Sequence, residues 1–187
     1  EIPLRLVGSE MCIRDRSYKL EKDVVEAEID IIRALGVEIK CGVEVGKDIT
    51  LDELRKDGYE AFYIAIGCQG SRKSGVDGED ADGVKSAVDI LHEIAENHDL
   101  DLKGNKTVVI GGGNVAVDVA RSTKRCGADI LGMFCLESRE EMPASEEEIF
   151  ETEDEGIQIN NGWGVKEILA ENGKVTGVVL KKCTSVK

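Results

Sequence analysis

No apolar run in the 187 residues approaches the roughly 20 that a membrane-spanning helix needs, which excludes that class of membrane protein. Positive charge is scarce: 24 Lys and Arg stand against 38 Asp and Glu, a formal net charge of −14. No basic stripe offsets this excess. Nucleic acid phosphates and anionic lipid are therefore repelled, and any bound phosphate must be held locally by backbone N–H groups. The six cysteines, Cys12, Cys41, Cys68, Cys126, Cys135 and Cys183, never fall in C-x-x-C spacing, which leaves no zinc site, iron–sulfur cluster or redox dithiol to read. Scattered thiols without a secretory signal favour a reducing, cytoplasmic setting. Only His92 and His98 are available for histidine chemistry, and both lie in polar surroundings that favour a solvated ring. No Ser/His or Cys/His constellation offers a nucleophile, so no catalytic residue and no metal ligand is assigned.

What is present is soluble and globular in composition, 41% hydrophobic and 33% charged, with length for one domain or two small ones. The stretch KTVVIGGGNVAVDVAR, Lys106 to Arg121, organises the rest. Thr107 to Ile110 is a β-branched run that stops at three glycines, and Val115, Ala116, Val119 and Ala120 then recur at helical spacing. Gly111, Gly113 and Ala116 fit G-x-G-x-x-G/A: the first glycine makes the turn, the second admits a pyrophosphate, and the small third residue lets helix and strand pack. Free N–H groups and the positive dipole end at such a helix start suit a dinucleotide phosphate. Glycine clusters also make ordinary turns, but the strand and helix on either side favour dinucleotide binding.

Leu6 to Asp15, LVGSEMCIRD, matches residue for residue the translation of a transposon adapter used to tag DNA libraries, and the match runs into Arg16. Residues 1–16 are accordingly expected to be an artefact or a disordered tail and are left out of the fold reasoning. From Tyr18 onward, the spacing predicts a helix from Val24 to Leu35, stopped at Gly36. An alternating strand follows over Val37 to Val43, then a capped helix from Leu51 to Lys56, then an apolar strand over Ala61 to Ile66. This α-β-α-β order predicts a layered α/β fold with a largely parallel sheet. Gly67 ends the apolar strand, where it serves either the turn itself or the close approach of a flat cofactor ring.

Ser71 to Gly83 reads as a charged, glycine-rich connection, and Ser86 to Ala95 as a helix. After the glycine motif, Gly127 stops the helix and Ile130 to Leu136 forms a strand. Glu137 follows, 24 residues beyond Gly113. That offset suits the acid that accepts from the adenosine ribose, the alternative being a surface glutamate. Ser145 and Glu148 form a capping box that opens an acidic helix to Glu155, whose charge reads as a solvated face or a docking surface for a basic partner. Val165 to Ala170 and Val175 to Lys182 flank Asn172-Gly173, a strong hairpin signal.

The residues AFYIAIGCQGSRK, GVDGED, VVIGGGNVAVDVAR and SREEMPASEEEI resemble the flavin-dependent pyridine nucleotide oxidoreductases of the glutamate synthase small-subunit type. The resemblance covers the chain from about Tyr18 to its end. It implies a partial FAD-binding domain over residues 17–78, with Gly67 near the flavin. It also implies a Rossmann-like NAD(P)-binding domain with its connector helix over 79–187. The implied activity is hydride transfer from NAD(P)H to FAD, with electrons leaving through an iron–sulfur partner of the glutamate synthase large-subunit, ferredoxin or hydrogenase type. Gly111, Gly112, Gly113, Asn114 and Val115 would hold the pyrophosphate, and Glu137, Ser138 and Arg139 would surround the adenosine ribose.

Many NADPH-using relatives carry an arginine pair where this chain has Leu136 and Glu137, so NADH is expected over NADPH, with Arg139 the residue able to reverse that preference. The amino-terminal cysteine-rich domain, the first FAD glycine motif, the later FAD segment and the last nucleotide-domain strands are not found, as expected of a fragment that is inactive alone. The competing reading is a non-catalytic module that senses NAD(H) or supports a larger complex.

Overall fold

The computed structural model describes residues 21–67, 70, 71, 73–97 and 100–184. The adapter-like segment and His98 lie outside them. The chain divides into two compact units, Glu1–Gln69 and Gly70–Lys187.

In the first unit, α1 (Lys22–Ala34) ends where Leu35 and Gly36 turn the chain, Gly36 N–H donating to the Arg33 carbonyl. The short α2 (Leu51–Lys56) carries the expected capping box: Thr50 accepts from Glu53 N–H while the Glu53 carboxylate accepts from Thr50 N–H. Those hydrogen bonds to Thr50 hold the Glu53 carboxyl below its ordinary range.

The two expected strands of this unit are corrected. Neither Val37 to Val43 nor Ala61 to Ile66 joins a ladder, and the nearest pairing is a single bridge between Val45 and Ile49. Apolar patterning records which residues want burial, but a strand exists only through neighbours that take up its N–H and C=O groups. Tyr63 and Ile64, 93% and 72% exposed, have no such neighbours among the described residues.

The second unit holds the sheet. Here β1 (Lys106–Ile110), β2 (Asp129–Cys135) and β3 (Ile159–Asn161) pair in parallel in the order β1-β2-β3. Between them run α4 (Asn114–Arg125) and α5 (Glu146–Asp154), giving the β-α-β-α-β unit of a Rossmann-like fold. α3 (Ala87–Glu96), capped by Ser86, adds Ile90 and Leu91 to a core shared with Val117, Ala120, Met133, Ile149 and Ile157.

β4 (Trp163–Glu171) and β5 (Lys174–Lys182) form the expected hairpin, closed by Asn172 and Gly173 at φ +51° and +78°. Two left-handed residues in succession match the right-handed twist of the flanking strands, which explains Asn-Gly there. The glycine-rich connector lies against this hairpin: Ile168 N–H donates to the Asp77 carbonyl and Asp82 N–H to that of Gly173.

The acidic helix is more than a solvated face. Arg121 on α4, 5% exposed, donates to Glu148, Glu151 and Glu155 at 3.3, 2.5 and 2.8 Å, and Arg125 also reaches Glu155 at 2.7 Å. Burial alone would raise the Glu155 carboxyl; the hydrogen bonds and charge of Arg125 and Arg121 outweigh it and hold the group below its ordinary range.

Candidate functional site

The glycine turn joins the end of β1 to the start of α4. Gly111 has φ +133°, and a Cβ there would stand 3.2 Å from that of Ala116, so both the backbone angle and the packing of strand on helix require glycine. At Gly112, a Cβ would meet the Cys135 Cβ at 2.9 Å and Glu137 Oε2 at 3.1 Å.

Gly113 differs. Its φ of −93° suits any residue, and a Cβ there would meet nothing within 4 Å. No side chain caps α4, although Ser, Thr, Asp and Asn are the residues that helix starts favour. The structure itself gives this position no reason to be glycine.

The carboxylate of Glu137 reaches back over Gly112, so the expected ribose acid and the glycine turn stand together at the carboxyl edge of the sheet. Burial first, and then the nearby Glu137 charge, push the Cys135 thiol up, which keeps it protonated beneath the turn. The segment before α5 is fastened to the same place: Ala144 N–H donates to the Gly112 carbonyl at 3.1 Å, and Ser145 N–H to Asn114 Oδ1 at 2.9 Å. Sequence reasoning on the acidic helix did not anticipate this contact, which ties two helix starts together.

Ser138 and Arg139 line an open cleft of about 280 Å³ with Leu136, Glu141, Asn161 and Cys183. Arg139 also pairs with Glu153 at 3.5 Å, and Ser138 donates to Glu141 at 2.9 Å. The exposed Val115 completes the first turn of α4. Gly67, at φ +67°, lies in the first unit, following the unpaired apolar stretch. Asn161 is the residue that sequence reasoning missed, since a three-residue polar strand carries no periodic signal.

A sequence profile of the pyridine nucleotide-disulphide oxidoreductase family matches residues 12–187. The chain belongs to that family.

The beta subunit of NADP(+)-dependent formate dehydrogenase from Moorella thermoacetica is 36% identical over 186 residues, covering 98% of this chain and 26% of that protein. The Escherichia coli K12 glutamate synthase [NADPH] small chain is 33% identical, covering 87% of this chain and 36% of that one. For the NAD-dependent dihydropyrimidine dehydrogenase subunit PreT of Escherichia coli O157:H7 the values are 33%, 85% and 37%. The family member described here thus spans between a quarter and two fifths of these curated relatives.

Two solved structures share its fold. Mycobacterium tuberculosis FprA in complex with NADPH has a TM-score of 0.68 at 20% identity, over 86% of this chain and 51% of that one. The thioredoxin reductase of T. acidophilum has 0.53 at 22%, over 89% and 54%. The fold class is therefore the α/β, Rossmann-like one expected from the glycine motif. No described helix is long and apolar enough to cross a membrane.

Proposed function

We propose that the second unit holds the nicotinamide dinucleotide of a flavin oxidoreductase, with NADH preferred over NADPH. The observation that carries this reading is the empty space at Gly113, before an uncapped helix and beside the Glu137 carboxylate. A pyrophosphate placed there would accept from the first N–H groups of α4, at the positive end of its dipole. Such local recognition suits a chain whose overall charge repels phosphate.

Gly111, Gly112 and Gly113 bring the backbone close, while Asn114 and Val115 supply the helix start. Glu137 accepts from the ribose 2′-hydroxyl and repels a 2′-phosphate, and Ser138 with Arg139 forms the outer wall. The names of the relatives include both NAD and NADP, so the cofactor is read from this chain's own carboxylate. Arg139 already shares its charge with Glu153, which weakens its pull on a 2′-phosphate.

When bound, the nicotinamide supplies a hydride, and FAD in the whole protein receives it. The chain's residues then have a placement task alone, which agrees with the lack of any assigned nucleophile or general acid. Residues 17–78 are read as part of the FAD-binding domain, with Gly67 beside the ring, and 79–187 as the NAD(P)-binding domain. Iron–sulfur electron acceptors of the glutamate synthase, ferredoxin or hydrogenase type fit relatives named as the beta subunit of a formate dehydrogenase and the small chain of a glutamate synthase. The cytoplasmic setting is read from the scattered cysteines.

The decisive measurement is spectroscopic: the full-length product is expected to be yellow and to bleach anaerobically on addition of NADH. A colourless product that binds NADH unchanged would favour a sensing module instead. Glu137→Arg is expected to shift the ratio of NADH to NADPH affinity towards NADPH by at least about tenfold, or about 1.4 kcal/mol. Titration of both nucleotides checks this, and an unchanged ratio removes Glu137 from the ribose site.

A further inference from the structure

We infer that Asn161 is a positioning residue for cofactor choice, holding the backbone of Glu137 so that its carboxylate stays over the glycine turn. This rests on the assignment of Glu137 to the adenosine ribose. The ladder between β2 and β3 ends at the pair Cys135–Asn161, so residue 137 lies beyond the strand hydrogen bonds. What holds it is a local clamp: the Glu137 carbonyl accepts from Asn161 Nδ2 at 3.2 Å and from Gly162 N–H at 3.1 Å.

A carbonyl can only accept, so the amide must present its nitrogen. Asn161 Nδ2 also donates to Cys135 Sγ at 3.2 Å, which uses both of its hydrogens. Cys135 in turn is the residue a Cβ on Gly112 would strike. One side chain therefore joins the floor of the turn to the backbone of the acid above it.

The consequence is specific to cofactor choice. Pyrophosphate binding at α4 does not involve Asn161, whereas discrimination at the ribose depends on where the Glu137 carboxylate stands. Removing the amide leaves the Glu137 carbonyl with Gly162 N–H and the weak donor Cys135 Sγ, at 3.8 Å, and frees the carboxylate to swing away from the 2′ position. Losing one such hydrogen bond is expected to reduce the NADH-over-NADPH preference about five- to tenfold.

The test measures both dissociation constants, with NADH and NADPH as probes, in the full-length enzyme and in Asn161→Leu, Asn161→Ala, Glu137→Ala and Asn161→Leu/Glu137→Ala. The leucine keeps the branched shape of asparagine without its donors, and the alanine controls for the greater bulk of the two methyl groups. A preference that falls in both Asn161 variants, with no further fall when Asn161→Leu is added to Glu137→Ala, supports the inference. If Glu137→Ala abolishes the preference but the Asn161 variants keep it, the inference fails and the ribose assignment stands. Equal weakening of both nucleotides, or loss of native circular dichroism in both single Asn161 variants, marks a merely structural residue and also overturns it. Should Glu137→Ala leave the preference unchanged, the ribose assignment itself fails and takes this inference with it.

Discussion

Gly113→Ser is expected to weaken NADH binding about a hundredfold, some 2.8 kcal/mol, while leaving the fold as stable as before or slightly more so. The two effects have opposite signs for a physical reason. Gly113 is the N-cap of α4, with φ −93° and ψ 170°, a conformation open to serine. Serine is a preferred cap, and its hydroxyl would accept from the N–H of Val115 or Ala116, worth a few tenths of a kcal/mol over glycine.

Nothing lies within 4 Å of a Cβ there, so the substitution meets no clash in the protein. A bound pyrophosphate loses twice: the new side chain occupies its space, and the hydroxyl competes for the same N–H groups. Isothermal titration with NADH and a urea denaturation curve test both halves. Wild-type affinity in a well-folded variant would move the phosphate away from this helix start. Gly112→Ala would be a poor substitute, because its Cβ would clash with Cys135 and lower stability and binding together.

The legible features were those whose cause is local. The glycine turn, the caps at Thr50 and Ser145, and the Asn172-Gly173 hairpin each depend on neighbours within a few residues, and each stands in the structure. What sequence missed depends on pairing across distance. Ala61 to Ile66 has the composition of a buried strand, but no composition supplies the strands beside it.

Conversely, Ile159–Asn161 is a strand because β2 offers it a parallel partner, although two of its three residues are asparagine. The position of Asn161 under Glu137 follows from that register alone. At the acidic helix, Ser145 and Glu148 promised a helix start. Nothing local announced that Glu148, Glu151 and Glu155 turn towards an arginine 27 to 34 residues earlier.

That arginine carries the second large effect. Arg121→Ala is expected to cost about 3 kcal/mol of stability near neutral pH, at the low end for breaking a buried ion cluster, because the three carboxylates keep partial access to water. Its guanidinium is the charge around which α5 packs on α4; without it, three like charges converge, while Arg125 still pairs with Glu155.

The pH dependence separates this cause from lost packing. The Glu155 carboxyl is held below its ordinary value of 4.5, so its pairing contributes stability that is fully present above that value and lost as pH falls through the lower folded value. In Arg121→Ala most of that contribution is already absent, and protonating the carboxylates relieves their repulsion. The stability difference between wild type and variant should therefore shrink from about pH 7 to about pH 3.5, as read from urea midpoints at each pH. A difference that stays constant over this range would assign the cost to the buried alkyl stem of Arg121. Because α5 begins at the segment tied to Gly112 and Asn114, the charge mechanism also requires NADH affinity to fall with stability in the variant at neutral pH.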